Sequence, residues 1–175
     1  IHSTIEAVAA LRQEHSLGAD AVSSIHVVAG EGCTICNIQE PTTALEAKFS
    51  LRIAAAFALL GVETSRVGEW GRATEPDVVA VRDRVSVELV PGMGLSDSDV
   101  VLCLRDGTQL RRSHDCGVPM TDKTKQSARV VAKLMALAAP ALGKPPSPRL
   151  LDVLSTVEKQ KDLRELVALC NAAVA

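Results

Sequence analysis

Residues Ile53 to Leu60 are apolar without exception, and the run lies inside a segment, Pro41 to Gly61, that carries helix signals at both ends. An unbroken apolar run leaves a helix no polar face, so this stretch is expected to be buried on most sides. Thr43, with Glu46 three residues on, has the form of a capping box, in which a hydroxyl takes an amide of the first turn and a carboxylate reaches back. Leu45, Phe49, Ile53, Ala56 and Leu60 recur at helical spacing, which predicts one helix from the cap to Leu60. Gly61 supplies the left-handed stop. Lys48 and Arg52 fall one turn apart on that helix, where like charges repel by a few tenths of a kcal/mol. A mostly buried helix that keeps two stacked cations asks for an anion nearby. The plainer reading is a pair of solvated side chains, or partners for acids elsewhere.

Composition narrows the classes. With 175 residues, 47% hydrophobic and 23% charged, the chain can bury one sizeable core, or one core and an appendage. Aromatic residues make up only 2%, so Ala, Val and Leu must fill that core and stacking platforms for nucleic acid are not expected. A net charge of -2 argues against a polyanion binder. No apolar run approaches the roughly 18 residues that span a bilayer, and Ile1-His2 does not open a signal peptide, so no membrane partner is expected. The start at Ile1 without a Met reads as a domain cut. Five Cys, an odd number without framework spacing, fit a reducing cytoplasm.

In chain order, Ser3 with Glu6 reads as a second capping box, opening a helix to about Glu14 with Ile5, Val8 and Leu11 inward. That puts His2 just ahead of a helix N-terminus. Ser24 to Gly30 is β-branched and short, a strand, and Val85 to Val90 alternates as a half-buried strand does. Thr64 to Trp70 reads as a short helix, and Glu75-Pro76-Asp77 starts another. Residues 99–105 and 108–114 flank Asp106-Gly107, a hairpin signal, so the sheet is expected to be largely antiparallel. Thr121 leads into a capped amphipathic helix through Ala128, Val131, Leu134, Met135 and Ala138. After the Pro-rich connector Gly143 to Pro148 come two more helices, one using Leu150, Val153, Leu154 and Val157, the other Leu163, Leu166, Val167, Cys170 and Val174.

Among residues that carry chemistry, His2 leads: an imidazole beside free helix amides sees positive potential, which attracts a carboxylate and eases loss of the ring proton. The alternative is a capping or surface histidine. Cys33-Thr-Ile-Cys36 has the spacing of a redox or metal pair, and His114 with Cys116 could complete four zinc ligands. A single pair is a weak signal, and no metal is expected. His15 and His26 have no constellation around them.

Pro41-x-x-x-Leu45-x-Ala47-Lys48-Phe49-Ser50, with the small-residue run ending Leu59-Leu60-Gly61, resembles the signature helix of the MmgE/PrpD family. That family includes 2-methylcitrate dehydratases, cis-aconitate decarboxylases and an iminodisuccinate epimerase. His2-Ser-Thr-Ile-Glu-Ala7, followed by Ala10-Leu-Arg12, is similar to the family's His-x-x-x-(Asp/Glu)-Ala segment, and Gly117-Val-Pro119 with the helix after it resembles the segment that closes the same domain. The resemblance covers nearly the whole chain and corresponds to the family's C-terminal part. It implies a separate N-terminal helical domain as partner, a small polycarboxylic acid as substrate, no cofactor, and a homodimer at full length. The implied chemistry is proton abstraction next to a carboxylate, followed by loss of water, loss of carbon dioxide, or reprotonation on the other face.

By the resemblance, His2 matches an active-site histidine of the decarboxylases and is the catalytic candidate. Ser3, Lys48, Ser50 and Arg52 are the substrate-binding candidates; Lys48 and Ser50 match common family letters, and Arg52 is particular to this chain. Ile53 stands where many members have a tyrosine that reaches the active site, and this chain has no Tyr. The expected fold is α+β, with helices packed on a short, mostly antiparallel sheet and a C-terminal helical extension. Residues 1–143 are expected to form a lid-type domain, inactive alone, and residues 144–175 a helical tail for the N-terminal helical domain. The competing expectation is a non-catalytic α+β interaction module with Lys48 and Arg52 solvated.

Overall fold

A computed structural model describes residues 1–143 and 145–171. They divide into two compact units, Ile1–Pro119 and Met120–Ala175. The first unit contains α1 (His2–Glu14), β1 (Val22–Gly30), α2 (Ala44–Ala47), α3 (Leu51–Leu60), α4 (Pro76–Arg82), β2 (Val85–Val90), β3 (Asp97–Leu104) and β4 (Gln109–Asp115). Its four strands form one sheet in the order β2-β1-β3-β4. β1 pairs antiparallel with β3, and β3 with β4, while β1 and β2 run parallel. The fold is therefore α+β on a mixed, mostly antiparallel sheet. A parallel pair needs a long crossover, and the segment carrying α2, α3 and α4 supplies it.

Alternation decides which face each strand buries. Ile25, Val27 and Ala29 of β1 are buried, and so are Ser98, Val100 and Leu102 of β3, whereas His26, Ser86, Asp99 and Arg111 belong to the opposite face. Val22 is buried three positions before Ile25 because the register with β3 slips between Val22 and Ser24, a bulge that resets the alternation. The predicted hairpin turn is present: Gly107 has φ +90°, a value that favours glycine, and the Asp106 carboxylate takes the Thr108 amide at 2.9 Å. α1 lies against β3 and β4, and α3 against α1, α4 and β2. Val8, Leu11, Ile53, Phe57, Val78 and Val81 from these helices close the core over the sheet. Phe57 and the lone Trp70 meet with ring centroids 5.4 Å apart, in a 3₁₀ helix over Val67–Thr74 where the sequence suggests a short helix slightly earlier.

Two helix expectations need correction. The segment 43–60 is not one helix. Thr43 and Glu46 form the predicted capping box, but α2 ends at Ala47 and a new helix starts at Leu51. Ser50 makes the break: its backbone bridges Asn37, its hydroxyl donates to the Ile38 carbonyl at 2.6 Å, and its oxygen takes the Ile53 amide at 3.3 Å. It is thus the N-cap of α3, and serine competes for backbone in this way. The break also explains why Leu45 and Phe49, read as part of the buried stripe, are 67% and 37% exposed, while Ile53 and Ala56 are fully buried. Lys48 and Arg52 accordingly do not stack on one helix. Gly61 ends α3 at φ +73° as expected.

The second correction concerns Ser3. α1 starts at His2 and has no side-chain cap, so there is no Ser3–Glu6 capping box, and His2 is the first helical residue. Ser3 lies inside the first turn and its hydroxyl donates to the Ser96 carbonyl instead. A tertiary acceptor has displaced the local one.

The second unit contains α5 (Lys123–Leu142), α6 (Pro148–Ser155) and α7 (Arg164–Asn171). Asp122, next to Thr121, caps α5 by taking the Lys125 amide at 2.9 Å. Ser147 caps α6, which has Pro148 in its first turn, the place a missing N–H costs nothing. Arg149 of α6 grips Glu165 of α7 with two bonds, 2.6 and 2.8 Å long. Val130 of α5, Leu163 just before α7 and Val167 of α7 are more than half exposed, the last two in the tail that the sequence assigns to packing elsewhere. Lys144 of the predicted connector and Val174 of the predicted last helix lie outside the described residues.

Candidate functional site

The first unit holds a cavity of about 210 Å³ at the head of α1. This is below the roughly 300–1,000 Å³ of drug-sized sites and suits a small metabolite. One wall is the first turn of α1, Ile1 to Thr4; the facing wall is Leu95 to Ser98, which leads into β3, together with Cys116 beyond β4. Ala29, Cys33 and Leu51 complete it. Three distant pieces of chain meet there because β1 and β3 are paired and α1 packs across β3 and β4.

Hydrogen bonds hold the walls together. The Ser3 oxygen donates to the Ser96 carbonyl and accepts the Cys116 amide at 3.1 Å, tying the helix to the segments on either side of the hairpin. Behind it Thr4 and Ser98, both buried, share a hydroxyl contact of 2.9 Å. The Cys33 thiol lies 3.6 Å from the Leu95 carbonyl. Asp97 takes the Gly94 amide at 3.1 Å. Asp115 is paired opposite Asp97 in the β3–β4 register. Its carboxyl is held below the ordinary carboxylate range by the Ser96 hydroxyl and by the Gly117 amide at 2.7 Å.

The electrostatics favour an anion at one wall. An uncapped helix start leaves its first amides without intrahelical acceptors and carries the positive end of the helix dipole. The ring of His2 belongs to the same turn. Set against this is Asp97, the sole carboxylate in the lining, which contains no lysine or arginine.

The five predicted site residues separate into two groups. His2 and Ser3 line the cavity; Lys48, Ser50 and Arg52 do not, although Leu51 between them does. Lys48 is half-buried at the C-terminal end of α2. Ser50 is fully buried and spends both its donor and an acceptor position on backbone. Arg52 turns its Nη1 to the Val85 carbonyl at the start of β2, and its Nε is buried without a hydrogen-bond partner. Ile53, at the position matched to a tyrosine, is fully buried in the core. Cys33, Cys36, Cys103, Cys116 and Cys170 are free thiols, and among the described residues no three His, Cys, Asp or Glu side chains converge as a metal site.

Sequence reasoning missed Ser96 and Asp97, and weighed Cys33 only as half of a redox or metal pair and Cys116 only as a metal ligand. The only linear hint was the turn Pro91 to Gly94 just before a polar run, and β3 begins at Asp97, two residues before the predicted strand. Nothing in spacing brings residue 97 to residue 2.

A search among curated proteins gave no match. The family model of the MmgE/PrpD C-terminal domain, in contrast, matches residues 1–159. With the fold and the cavity at the head of α1 in view, that match over most of its length places the chain in the MmgE/PrpD family, as its C-terminal domain.

Proposed function

We propose that this domain is the lid of a cytoplasmic, homodimeric enzyme that abstracts a proton next to a carboxylate on a small polycarboxylic acid, with an N-terminal helical domain supplying the rest of the active site. The single observation that carries the reading is the uncapped first turn of α1, headed by His2, opening on a small polar cavity. A substrate carboxylate resting on the amide end of that turn gains from both hydrogen bonds and the dipole. In the same position the neutral His2 ring takes the proton from the adjacent carbon, and the electron pair of that C–H bond passes into the carboxylate. Collapse of the charge then expels hydroxide, which leaves as water once protonated, or the carbon recovers a proton on the opposite face; in an unsaturated acid, loss of carbon dioxide instead leaves its C–C bonding pair behind, which shifts the double bond and takes up a proton at its far end.

Closing the lid excludes water, so that each of these charge contacts strengthens as the anionic state forms. Ser3 positions the turn that carries His2. Lys48 is assigned to a carboxylate reached only with the helical domain in place, while Ser50 holds that segment to Asn37 and Ile38 and Arg52 holds it to β2. Residues 144–175 are assigned to docking on the helical domain, in keeping with the exposed apolar side chains of α7. Ile53 leaves no phenol at its position, so the proton donor for the leaving group must come from elsewhere.

The test uses the intact protein with citrate-like acids, followed by calorimetry and turnover. His2→Ala is expected to lower kcat by about 10²-fold or more and leave binding largely intact. Lys48→Ala is expected to raise KM. Undiminished turnover in His2→Ala would exclude this mechanism, and an absence of saturable binding by any such acid would favour the interaction module.

A further inference from the structure

The Cys33-Thr-Ile-Cys36 pair has no part in the chemistry above, yet the fold gives it a defined geometry. Cys33 and Cys36 belong to one 3₁₀ helix, Glu31–Cys36, which directly follows β1. Residues i and i+3 eclipse on such a helix and climb about 6 Å, which lies within the Cα separation of ordinary disulfides. Both side chains pack in the same small cluster with Ala29 and Leu51, so they share a face. Both are free thiols; Cys33 is buried and Cys36 half-buried, so a reagent from solvent meets Cys36 first. The same turn abuts the facing wall of the cavity. Cys33 is part of the lining, and its thiol donates to the Leu95 carbonyl at 3.6 Å. The two segments lie so close that a Cβ on Gly30 would run into the Met93 carbonyl oxygen and one on Gly32 into the Leu95 side chain. A change at the Cys33 sulfur is therefore felt by the wall that begins at Leu95.

We propose that Cys33 and Cys36 form a reversible disulfide site, and that the reduced form is the one that holds the cavity wall. The co-reactant is the disulfide of a small thiol, oxidised glutathione. The Cys36 thiolate attacks one glutathione sulfur, the glutathione S–S bond breaks, and the other glutathione leaves as a thiolate. The Cys33 thiolate then attacks the Cys36 sulfur of the mixed disulfide, that S–S bond breaks, and the second glutathione leaves. The two cysteines are oxidised, one glutathione disulfide is reduced to two thiols, and the two cysteine protons end on the leaving thiolates. Once bridged, the Cys33 sulfur carries no proton, so the Leu95 carbonyl loses its donor. Reduced glutathione reverses both steps, which makes such a bridge transient in a reducing compartment.

The intact protein is incubated with oxidised glutathione, quenched in acid, digested with trypsin and measured by mass spectrometry. Gln13 to Lys48 is a single tryptic peptide that carries both cysteines. It is expected to lose two hydrogens without gaining glutathione, and to regain them with dithiothreitol. In Cys33→Ser the same peptide is expected to gain one glutathione on Cys36 and keep it, and in Cys36→Ser to lose no hydrogens. Cys116→Ser is expected to bridge as the unaltered protein does. At the wall, amide hydrogen exchange over residues 93–98 is expected to be about twofold faster, or more, in the bridged protein, with exchange in α3 unchanged. The proposal is overturned if Cys33 and Cys36 stay free while the exposed Cys116 and Cys170 take up glutathione. It is equally overturned by a bridge from Cys116 to either of them, or by one that forms only once tryptophan fluorescence reports unfolding. Equal exchange over 93–98 in the two forms overturns the coupling to the wall. Neither measurement uses a substrate, so the outcome is independent of the polycarboxylic acid reading.

Discussion

At the scale of single residues, several carboxylates are held as anions by the fold. Glu46 has its proton affinity lowered by the Thr42 amide, the Thr42 hydroxyl and the Thr43 amide, and Asp99 by the Arg111 guanidinium and the Ser113 hydroxyl. Each folded pKa lies below the unfolded value, so each contributes stability that is fully present above that value and is lost as pH falls through the folded one. Thermal melts are therefore expected to decline on acidification below the ordinary carboxylate range. Glu46→Gln and Asp99→Asn should each flatten that decline, which a melting series in acid checks. Thr43→Ala removes the acceptor for the Glu46 amide and is expected to cost about 1 kcal/mol in urea unfolding, with the slope unchanged. Of the residue-level expectations, the Thr43–Glu46 box was legible because both partners are local. The Ser3–Glu6 box had the same letters and is absent, since the Ser96 carbonyl, 93 residues away, takes the serine proton.

At the scale of elements, the break between α2 and α3 matters most. Ser50 is buried and satisfies backbone groups on both sides of the break, so Ser50→Ala is expected to destabilise by about 1–3 kcal/mol by leaving the Ile38 carbonyl and the Ile53 amide unpaired. Ser50→Thr, which keeps the hydroxyl, should recover part of the loss in the same denaturation assay. Phe57→Ala opens a void beside Trp70 and is expected to cost about 3–5 kcal/mol, with a change in the fluorescence of that single tryptophan as the signature. At the other end of α3, Gly61 has φ +73°, and a Cβ there would lie 3.0 Å from the Arg12 guanidinium. Gly61→Ala is accordingly expected to destabilise by about 1 kcal/mol or more, measured against unaltered protein in urea. Strands and the hairpin were legible from alternation and from Asp106-Gly107. The helix break was not, because the apolar spacing runs straight through it and the bonds to Asn37 and Ile38 that interrupt the turn come from another part of the chain.

For the whole molecule, the two compact units suggest a simple dissection. A fragment ending at Pro119 retains α1 to α4, all four strands and the Phe57–Trp70 pair. It is expected to unfold in one cooperative transition followed by tryptophan fluorescence. The second unit exposes Val130, Val157, Leu163 and Val167, so the full chain is expected to self-associate with rising concentration and the fragment ending at Pro119 to do so less, as sedimentation would show. Equal association of the two would assign the contact to the first unit.

The sequence by itself determined the α+β class, the apolar heart of α3, the left-handed stop at Gly61, the hairpin and the caps whose partners lie within a turn. Each is a local matter of periodicity, backbone freedom or a bond across three or four residues. Tertiary structure alone decided that Ser96, Asp97 and Cys116 stand opposite His2, and that Ser50 and Arg52 turn to backbone carbonyls. Strand register and helix packing bring together groups with no relation in sequence, and a buried polar group takes whichever partner the packing leaves within reach.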